Sequence, residues 1–382
     1  MKRILFFLVI FLLISLLVFE TIFIFQNQSE SIIEIPTNHT NIEPEKYYNI
    51  EEFTILNPNI YLAINDTERV RYILKVDSNY DEKLTFHSTN PSVASVDNYG
   101  NITSNSSGTT NIEVKIKDET KIVQVIVTDL IIKKPSTPNA SKTILTCGLY
   151  TEEENNLLDE ILKSRVNDAG ESTRAGVVAA ARFITLEFPY RLSYFSENGR
   201  VTTYGNTTYV DGEGRYYHKG LYLHKSRTSN ITKSMYGPNP WGCYIYSVPS
   251  EGKRKNGFDC SGFVAWILLN GGFNPGDIGA GISVVPDMTD LGSKKRLKTS
   301  LENSELKAGD LLSGIGSNGG HIAMIIGIKD GKYFVAESLW GNYAYGVIAR
   351  TYSLESLQNN FYWHIDMDEY YKNDGNYTEY WL

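Results

Sequence analysis

The hydrophobic pattern of the chain changes its period once, and this change predicts two folded units of different class. Between residues 50 and 130, apolar residues recur at every second position, which is the pattern of half-buried β-strands. The clearest alternating positions are Ile112, Val114, Ile116, Val123, Val125 and Val127. Turn sequences rich in Asn, Ser and Gly separate these segments. After a proline-containing stretch the period becomes helical, and a length of 382 residues also favours two domains.

The alternating region predicts a small β-sandwich. Its stretch from Phe86 to Val96, followed by Gly100, Ile102 and Gly108, resembles a bacterial immunoglobulin-like domain of the second group. The resemblance covers most of residues 50–130. It implies a surface spacer or adhesive module with no chemistry of its own.

The first 25 residues predict a membrane anchor. Lys2 and Arg3 precede an apolar run from Ile4 to Phe25, which is long enough to cross a bilayer with its positive end inside. No small-residue cleavage site follows this run, so we expect an uncleaved single-pass helix rather than a signal peptide. The polar residues 26–49 then form a tether, and the folded domains lie outside the cytoplasmic membrane.

Two helices are expected at the start of the second unit. Thr151 and Glu154 form a capping box, and apolar residues on one face extend a helix over about 152–167. Ser172 is the expected N-cap of a second, alanine-rich helix that stops before Pro189. The Tyr- and Gly-rich residues that follow show little periodicity and predict no particular element.

Cys260 is the expected nucleophile. It stands between Asp259 and Ser261 at the start of an apolar helical run that ends at Asn270. The positive end of a helix dipole and its free N–H groups stabilise a thiolate, and they also hold the oxyanion that forms when a carbonyl is attacked.

His321 is the expected base for this thiol. It begins the apolar run 321–328, which reads as a central strand and is entered through a turn at 306–310. A polar ring at the first position of a buried strand needs a partner, and a nearby cysteine at a helix start supplies one.

These motifs together resemble the NlpC-type cell-wall endopeptidases of the papain-like superfamily. The resemblance rests on Asp259-Cys-Ser-Gly-Phe-Val264, Leu306-Lys-Ala-Gly-Asp310 and Gly320-His-Ile-Ala-Met-Ile-Ile-Gly327, and it covers roughly residues 235–350. It implies a helix carrying the cysteine, packed on an antiparallel sheet carrying the histidine. It also implies cleavage of stem-peptide bonds in peptidoglycan, commonly the bond between D-glutamate and the diamino acid.

The third catalytic residue departs from the family pattern. The position on the next strand that holds an orienting polar residue in such enzymes is Val335 here, and valine cannot orient an imidazole. Glu337 lies two residues further, on the same face of that strand, so its carboxylate is the expected partner of His321. Asn342 is the reserve candidate.

Substrate contacts follow from the resemblance rather than from spacing. Asp259 and Ser261 flank the nucleophile and are expected to bind polar groups of the stem peptide. An aromatic residue upstream helps to line the oxyanion side in the family, and Tyr236, Trp241 and Tyr244 compete for that role.

The remaining composition excludes several classes of ligand. A net charge of -8 argues against a nucleic-acid partner. The histidines lack metal-ligand spacing and glycine-rich phosphate loops are absent, so we expect neither a metal nor a cofactor. A disulfide between Cys147 and Cys243 stays open as an alternative to free thiols.

The expected fold is therefore multidomain. A transmembrane helix leads to an all-β immunoglobulin-like sandwich and then to an α+β papain-like domain. The expected segments are the anchor 1–25, tether 26–49, sandwich 50–130, linker 131–144, helical and Tyr/Gly-rich lead 145–234, and peptidase domain 235–382. The expected function is a surface peptidoglycan endopeptidase acting on stem peptides. The alternatives are an N-acetylmuramoyl-L-alanine amidase of the CHAP type, or an inactive wall-binding or adhesion protein.

Overall fold

The structure is a computed structural model. It describes residues 50–77, 83–135, 137–138, 142–146, 148–194, 241–242, 257–273, 291–316, 319–340 and 346–376. Within these ranges no helix is both long and apolar enough to cross a membrane. The expected anchor at 1–25 and the tether at 26–49 lie outside the described residues.

The N-terminal part of the described chain is all β. Its strands are β1 (Ile50–Ile55), β2 (Asn59–Leu62), β3 (Thr67–Arg69), β4 (Tyr72–Val76), β5 (Thr85–Ser88), β6 (Ala94–Val96), β7 (Asn101–Ser104), β8 (Gly108–Ile116) and β9 (Glu119–Val127). They form a four-stranded sheet in the order β2-β9-β8-β5, a three-stranded sheet in the order β3-β7-β6, and the pair β1-β4. Two sheets around one apolar core are the expected sandwich.

Side-chain alternation builds this core. Ile112 and Val114 on β8 and Val123 and Val125 on β9 are fully buried, as the period of two predicted. A tight turn before β7 depends on Gly100, which has a φ of 79° and leaves no room for a Cβ against the ring of Phe86. The turn and the packing therefore require the same glycine.

The second part is α+β. Its helices are α1 (Glu152–Ala169), α2 (Arg174–Arg182), α3 (Cys260–Asn270), α4 (Leu297–Glu302), α5 (Leu354–Asn360) and α6 (Asp368–Tyr371), with a π-helical turn at Phe183–Glu187 after α2. Its strands are β10 (Ser193–Tyr194), β11 (Gly257–Phe258), β12 (Ser293–Arg296), β13 (Leu311–Gly316), β14 (Gly319–Lys329), β15 (Lys332–Leu339), β16 (Gly346–Tyr352) and β17 (Trp363–Asp366).

An antiparallel sheet of six strands in the order β12-β17-β13-β14-β15-β16 organises this part. Helix α3 is buried along its whole length and packs on β14 and β15. The short strands β10 and β11 pair in parallel, which joins Tyr194 to Phe258 across a long stretch of sequence. This pairing places Ser193 and Tyr194 beside the strand that directly precedes α3.

The helix starts follow capping chemistry, with one correction. Thr151 and Glu154 form the expected capping box at α1. The N-cap of α2 is Thr173 rather than Ser172, because Ser172 has a φ of 59° and Thr173 has the extended backbone that a cap requires. The Thr173 hydroxyl accepts a hydrogen bond from the N–H of Gly176.

Polar contacts join the sandwich directly to α1. Arg165 on α1 contacts both carboxylate oxygens of Glu187 and donates to the carbonyl of Tyr61 at 2.6 Å. Arg71 pairs with Asp168 at the end of the same helix, 2.8 Å away. The two parts are therefore bonded side by side as well as connected through the chain.

Candidate active site

Cys260 is the first residue of α3. The preceding Asp259 is the N-cap, and its Oδ1 accepts from the N–H of Gly262 at 2.6 Å and from the Ser261 hydroxyl at 3.1 Å. Helix hydrogen bonding does not use the N–H groups of Cys260 and Ser261, so they are available to an oxyanion beside the thiol. The cysteine is buried, with 8% of the residue exposed.

His321 lies on β14 and faces this thiol. Its side chain is 26% exposed, and the Cys260 thiol is close enough to raise the pKa of the ring. The ring stacks on Phe361, with the ring centroids 6.0 Å apart and an interplanar angle of 27°. The imidazole therefore has an aromatic ring on one face and the Cys260 thiol near one edge.

Glu337 on β15 holds the other edge of the imidazole. Nε2 of His321 lies 2.8 Å from Oε2 of Glu337, so Nδ1 is the nitrogen left to contact the thiol. The second carboxylate oxygen of Glu337 accepts from Nε of Arg350 at 2.7 Å and from the hydroxyl of Tyr352 at 2.8 Å. These three groups fix a carboxylate that is completely buried.

Strand register explains why Glu337 reaches His321 and Val335 does not. Met324 pairs with Ala336, and continuing this antiparallel register to the start of β14 sets His321 diagonally across from Glu337 on one face. Val335 lies opposite Ile325 instead and is buried in an apolar cluster. The alternation of side chains along the strand pointed to Glu337, and Glu337 is the residue that contacts His321.

Electrostatic interactions within the site shift the pKa values of His321 and Glu337. Burial alone lowers the pKa of His321, but hydrogen bonds to Cys260 and Glu337 and the negative charge of both outweigh it and raise this pKa to about 9. Burial alone raises the pKa of Glu337, but the hydrogen bonds and positive charges of His321 and Arg350 outweigh it and lower this pKa. The site therefore favours an imidazolium next to a carboxylate at neutral pH.

Tyr194 is a site residue that the sequence did not reveal. Tyr194 pairs with Phe258, two residues before Cys260, and burial together with the negative charges of Cys260 and Asp259 raises the pKa of its phenol, which stays protonated. The ring contacts Trp340 edge-on at 5.5 Å, and Trp340 itself is 71% exposed. A hydroxyl donor and an exposed aromatic ring thus lie next to the strand that precedes Cys260.

The side chains of Asp259 and Ser261 are engaged in capping α3. Both are buried, and Ser261 donates to Asp259 while Asp259 fixes the first turn of the helix. In this geometry they position Cys260. A direct contact of either residue with substrate stays a prediction.

The expectation that Trp241 binds substrate is corrected by its burial. Its ring is fully buried against Phe188 and Phe183, and its indole N–H donates to Asp159 at 3.1 Å. No substrate can stack on it, because the side chain belongs to the core between α1 and the π-helical turn. Tyr236, Tyr244, Cys147, Cys243 and Asn342 lie outside the described residues.

One group of carboxylates has the spacing to hold a cation. Asp310, Asp366 and Asp368 bring ligand oxygens within 4.8 Å of one another. Arg174 pairs with Asp310 at 2.8 Å and also with Asp368, and Lys295 pairs with Asp366 at 3.1 Å. Protein cations therefore already neutralise these three carboxylates.

The β-sandwich of the chain matches a known family. No curated protein matches the chain. Among solved structures, domains 4 and 5 of the S-layer protein SbsC are 18% identical, with 22% of this chain and 54% of that chain aligned at a TM-score of 0.19. An EHEC O157:H7 intimin mutant is 15% identical, with 31% of this chain and 66% of that chain aligned at a TM-score of 0.17. The chain therefore spans about half to two thirds of these proteins' length.

The family match has defined limits. It runs over residues 50–127, slightly shorter than the expected 50–130, and leaves the residues around Cys260 outside it. The described strands of this range build the expected sandwich. Residues 50–127 form a bacterial Ig-like domain of group 2.

Proposed function

We propose that this chain is a cell-surface cysteine hydrolase that cleaves an amide bond in the stem peptides of bacterial peptidoglycan. The observation that carries the proposal is the hydrogen bond between His321 and the buried Glu337, with the thiol of Cys260 near this imidazole at the N-terminus of a buried helix. A thiol, a base and an orienting carboxylate in this order are the requirements for nucleophilic attack on a carbonyl.

The reaction uses two proton transfers through one imidazole. With His321 protonated, the Cys260 thiolate attacks the amide carbonyl carbon, a C–S bond forms, and the oxyanion is held by backbone N–H groups at the start of α3. The C=O bond then reforms, the C–N bond breaks, and the amine leaves with the proton from His321. The product at this stage is a thioester on Cys260.

Water completes the cycle. Neutral His321 takes a proton from water, the resulting hydroxide adds to the thioester carbonyl, and the C–S bond breaks. The carboxylic acid product leaves, and the thiolate and imidazolium return. Throughout, Glu337 keeps the ring oriented and stabilises its charged form.

The phenol of Tyr194 completes the oxyanion site in this proposal. It is a neutral donor on β10, which pairs with the strand directly before Cys260, and it would act together with the backbone donors at the helix N-terminus. It takes the role that the sequence left open among Tyr236, Trp241 and Tyr244.

The substrate class follows from the resemblance to NlpC-type endopeptidases and from the Ig-like domain. A bond between D-glutamate and the diamino acid is the proposed target. The N-terminal apolar segment would hold the chain at the cytoplasmic membrane with both domains outside, close to the wall.

The test is digestion of purified muropeptides followed by mass analysis. The wild-type chain should release fragments cut within the stem peptide, whereas Cys260→Ala should release none. Cys260→Ser, which keeps the size and the helix cap, should retain only a small residual rate, and both variants should unfold at the wild-type temperature. Undiminished cleavage by Cys260→Ala refutes the thiol mechanism. Cleavage between sugar and peptide would instead assign an amidase.

A further inference from the structure

A group of exposed cations and aromatic rings lies at the β12 edge of the six-stranded sheet. It consists of Lys294 and Arg296 on β12 and of Tyr362 and Trp363 at the start of β17, and we call it the cation-aromatic patch. The guanidinium of Arg296 lies 3.9 Å from the ring centroid of Tyr362 and 4.1 Å from that of Trp363. Nζ of Lys294 lies 4.6 Å from the centroid of Trp363. Aromatic rings therefore fix two exposed cations side by side.

Lys294 and Arg296 differ from the intervening Lys295 in their ion pairs. Lys295 lies between them in sequence and pairs with Glu305 and Asp366, each at 3.1 Å. Within the described ranges, neither Lys294 nor Arg296 has a carboxylate within ion-pair distance. Since the chain carries a net charge of -8, two adjacent cations without acidic partners are unexpected on its surface. Among the described residues, no carboxylate occupies their N–H groups, which suit an anionic ligand.

Strand register places the patch on the same face of the sheet as α3. Ile322 pairs with Ser313, Ser313 pairs with Trp363, and Trp363 pairs with Arg296. Ile322 packs in the same apolar cluster as α3, so the side chain of Arg296 shares the face of the sheet that this helix covers. Three strand spacings separate Ile322 from Arg296, or about 14 Å. The patch and α3, which begins with Cys260, therefore lie on one face of the sheet.

We propose that the cation-aromatic patch binds an anionic group of the wall polymer, a carboxylate or a phosphate, while the neighbouring amide bond lies at Cys260. This inference rests on the proposed function and adds a subsite to it. Arg296 presents a planar fork of donors that suits either oxyanion, and Lys294 adds a second charge. The two stacked rings hold the fork in place, so little side-chain freedom is lost on binding.

Another role for these cations predicts a different outcome. Strand β12 is at the edge of the six-stranded sheet, and charged side chains on edge strands prevent pairing with other chains. That role needs charge alone and no stacked rings. It predicts that loss of the two cations causes association of the chain and leaves wall binding unchanged.

The test measures binding without cleavage. Full-length chains carrying Cys260→Ala are sedimented with insoluble cell wall at increasing salt. Lys294→Gln/Arg296→Gln should weaken retention about tenfold and reduce its salt dependence. The matched control is Lys329→Gln/Lys332→Gln, which removes two exposed charges from the β14-β15 hairpin and should bind as the parent does. Arg296→Lys, which keeps the charge, should show an intermediate loss.

Two further arms identify the anion. Wall stripped of phosphate polymers tests the phosphate source, and wall whose carboxyl groups are converted to amides tests the carboxylate source. The treatment that removes the difference between patch variant and control names the group. Equal retention of the patch variant and the control on untreated wall overturns the proposal.

Failure of this proposal is separable from failure of the proposed function. If the Cys260→Ala chain binds wall through the patch but the active chain cuts nothing, the subsite stands and the hydrolase fails. If the active chain cuts and the patch variant binds and cuts as the control does, the hydrolase stands and the subsite fails.

Discussion

Replacing Glu337 by Gln tests whether a buried carboxylate controls the protonation of the catalytic imidazole. The substitution keeps the shape of the side chain and removes its charge, while the amide oxygen can still accept one hydrogen bond. In the wild type, the pKa of His321 rises from 6.5 to about 9 through Cys260 and Glu337 together. That rise corresponds to roughly 3 kcal/mol in favour of the imidazolium, to which both Cys260 and Glu337 contribute.

The expected result is a lower pKa for His321 and a large loss of rate. Without the carboxylate, the ring also loses the partner that fixes its orientation, and we expect kcat to fall by about two to four orders of magnitude. Stability should fall by about 1–2 kcal/mol, because the partly exposed Arg350 keeps some solvation after losing its acidic partner.

The pH dependence of stability gives the sharper signature. The raised pKa of His321 means that its contribution is fully present below pH 6.5 and is lost as the pH rises through about 9. The lowered pKa of Glu337 means that its contribution is present above the ordinary value of 4.5 and is lost as the pH falls. The wild type should therefore lose stability at both ends of this range, and Glu337→Gln should show a flatter profile.

The assays are urea unfolding across this pH range, NMR titration of the His321 ring, and the rate of muropeptide cleavage. Arg350→Gln is the matched control, because Arg350 contacts Glu337 and leaves the contact between Glu337 and His321 in place. It should lose stability but keep most of the activity. A Glu337→Gln chain with the wild-type rate and an unchanged His321 titration refutes the reasoning.

Three further predictions concern the site and the core around it. Cleavage by the wild type should decline as the pH rises through about 9, because the leaving amine then lacks the imidazolium proton; a rate unchanged up to pH 10.5 would contradict this. Tyr194→Phe should lower kcat about tenfold to a hundredfold with little change in KM or in stability, and an equal rise in KM would indicate ordinary substrate binding instead. Trp241→Ala should lower the free energy of unfolding by about 3–5 kcal/mol in urea titrations, and a loss under 1 kcal/mol would show that the ring is not a core side chain.

The parts of the site that the sequence predicts are those set by local chemistry. A cap residue followed by an apolar run locates the start of α3, and the period of two in a strand links Glu337 to the face of His321. Both inferences use neighbours in sequence or in one strand pair. They need no knowledge of the tertiary fold.

Tyr194 and Trp241 depend on longer-range contacts. Tyr194 reaches the thiol only because β10 pairs with β11, more than sixty positions later in the chain. Trp241 is buried by α1 and the π-helical turn. The residues next to Trp241 in sequence give no indication that these two elements pack on it. The sequence predicted Ser172 as the N-cap of α2, whereas the structure has Thr173. Both residues carry a hydroxyl group, and only the backbone conformation distinguishes them.

The contacts of Arg165 connect the Ig-like domain to the helices of the second part. The Arg165 guanidinium donates to the backbone carbonyl of Tyr61 in the sandwich and pairs with Glu187 in the helical layer. Arg71 of the sandwich forms a second ion pair with Asp168 of α1. Both contacts lie on α1, so the sandwich is held to this helix at two separate points. Rotation of the sandwich relative to α1 would require at least one of these two charged contacts to break.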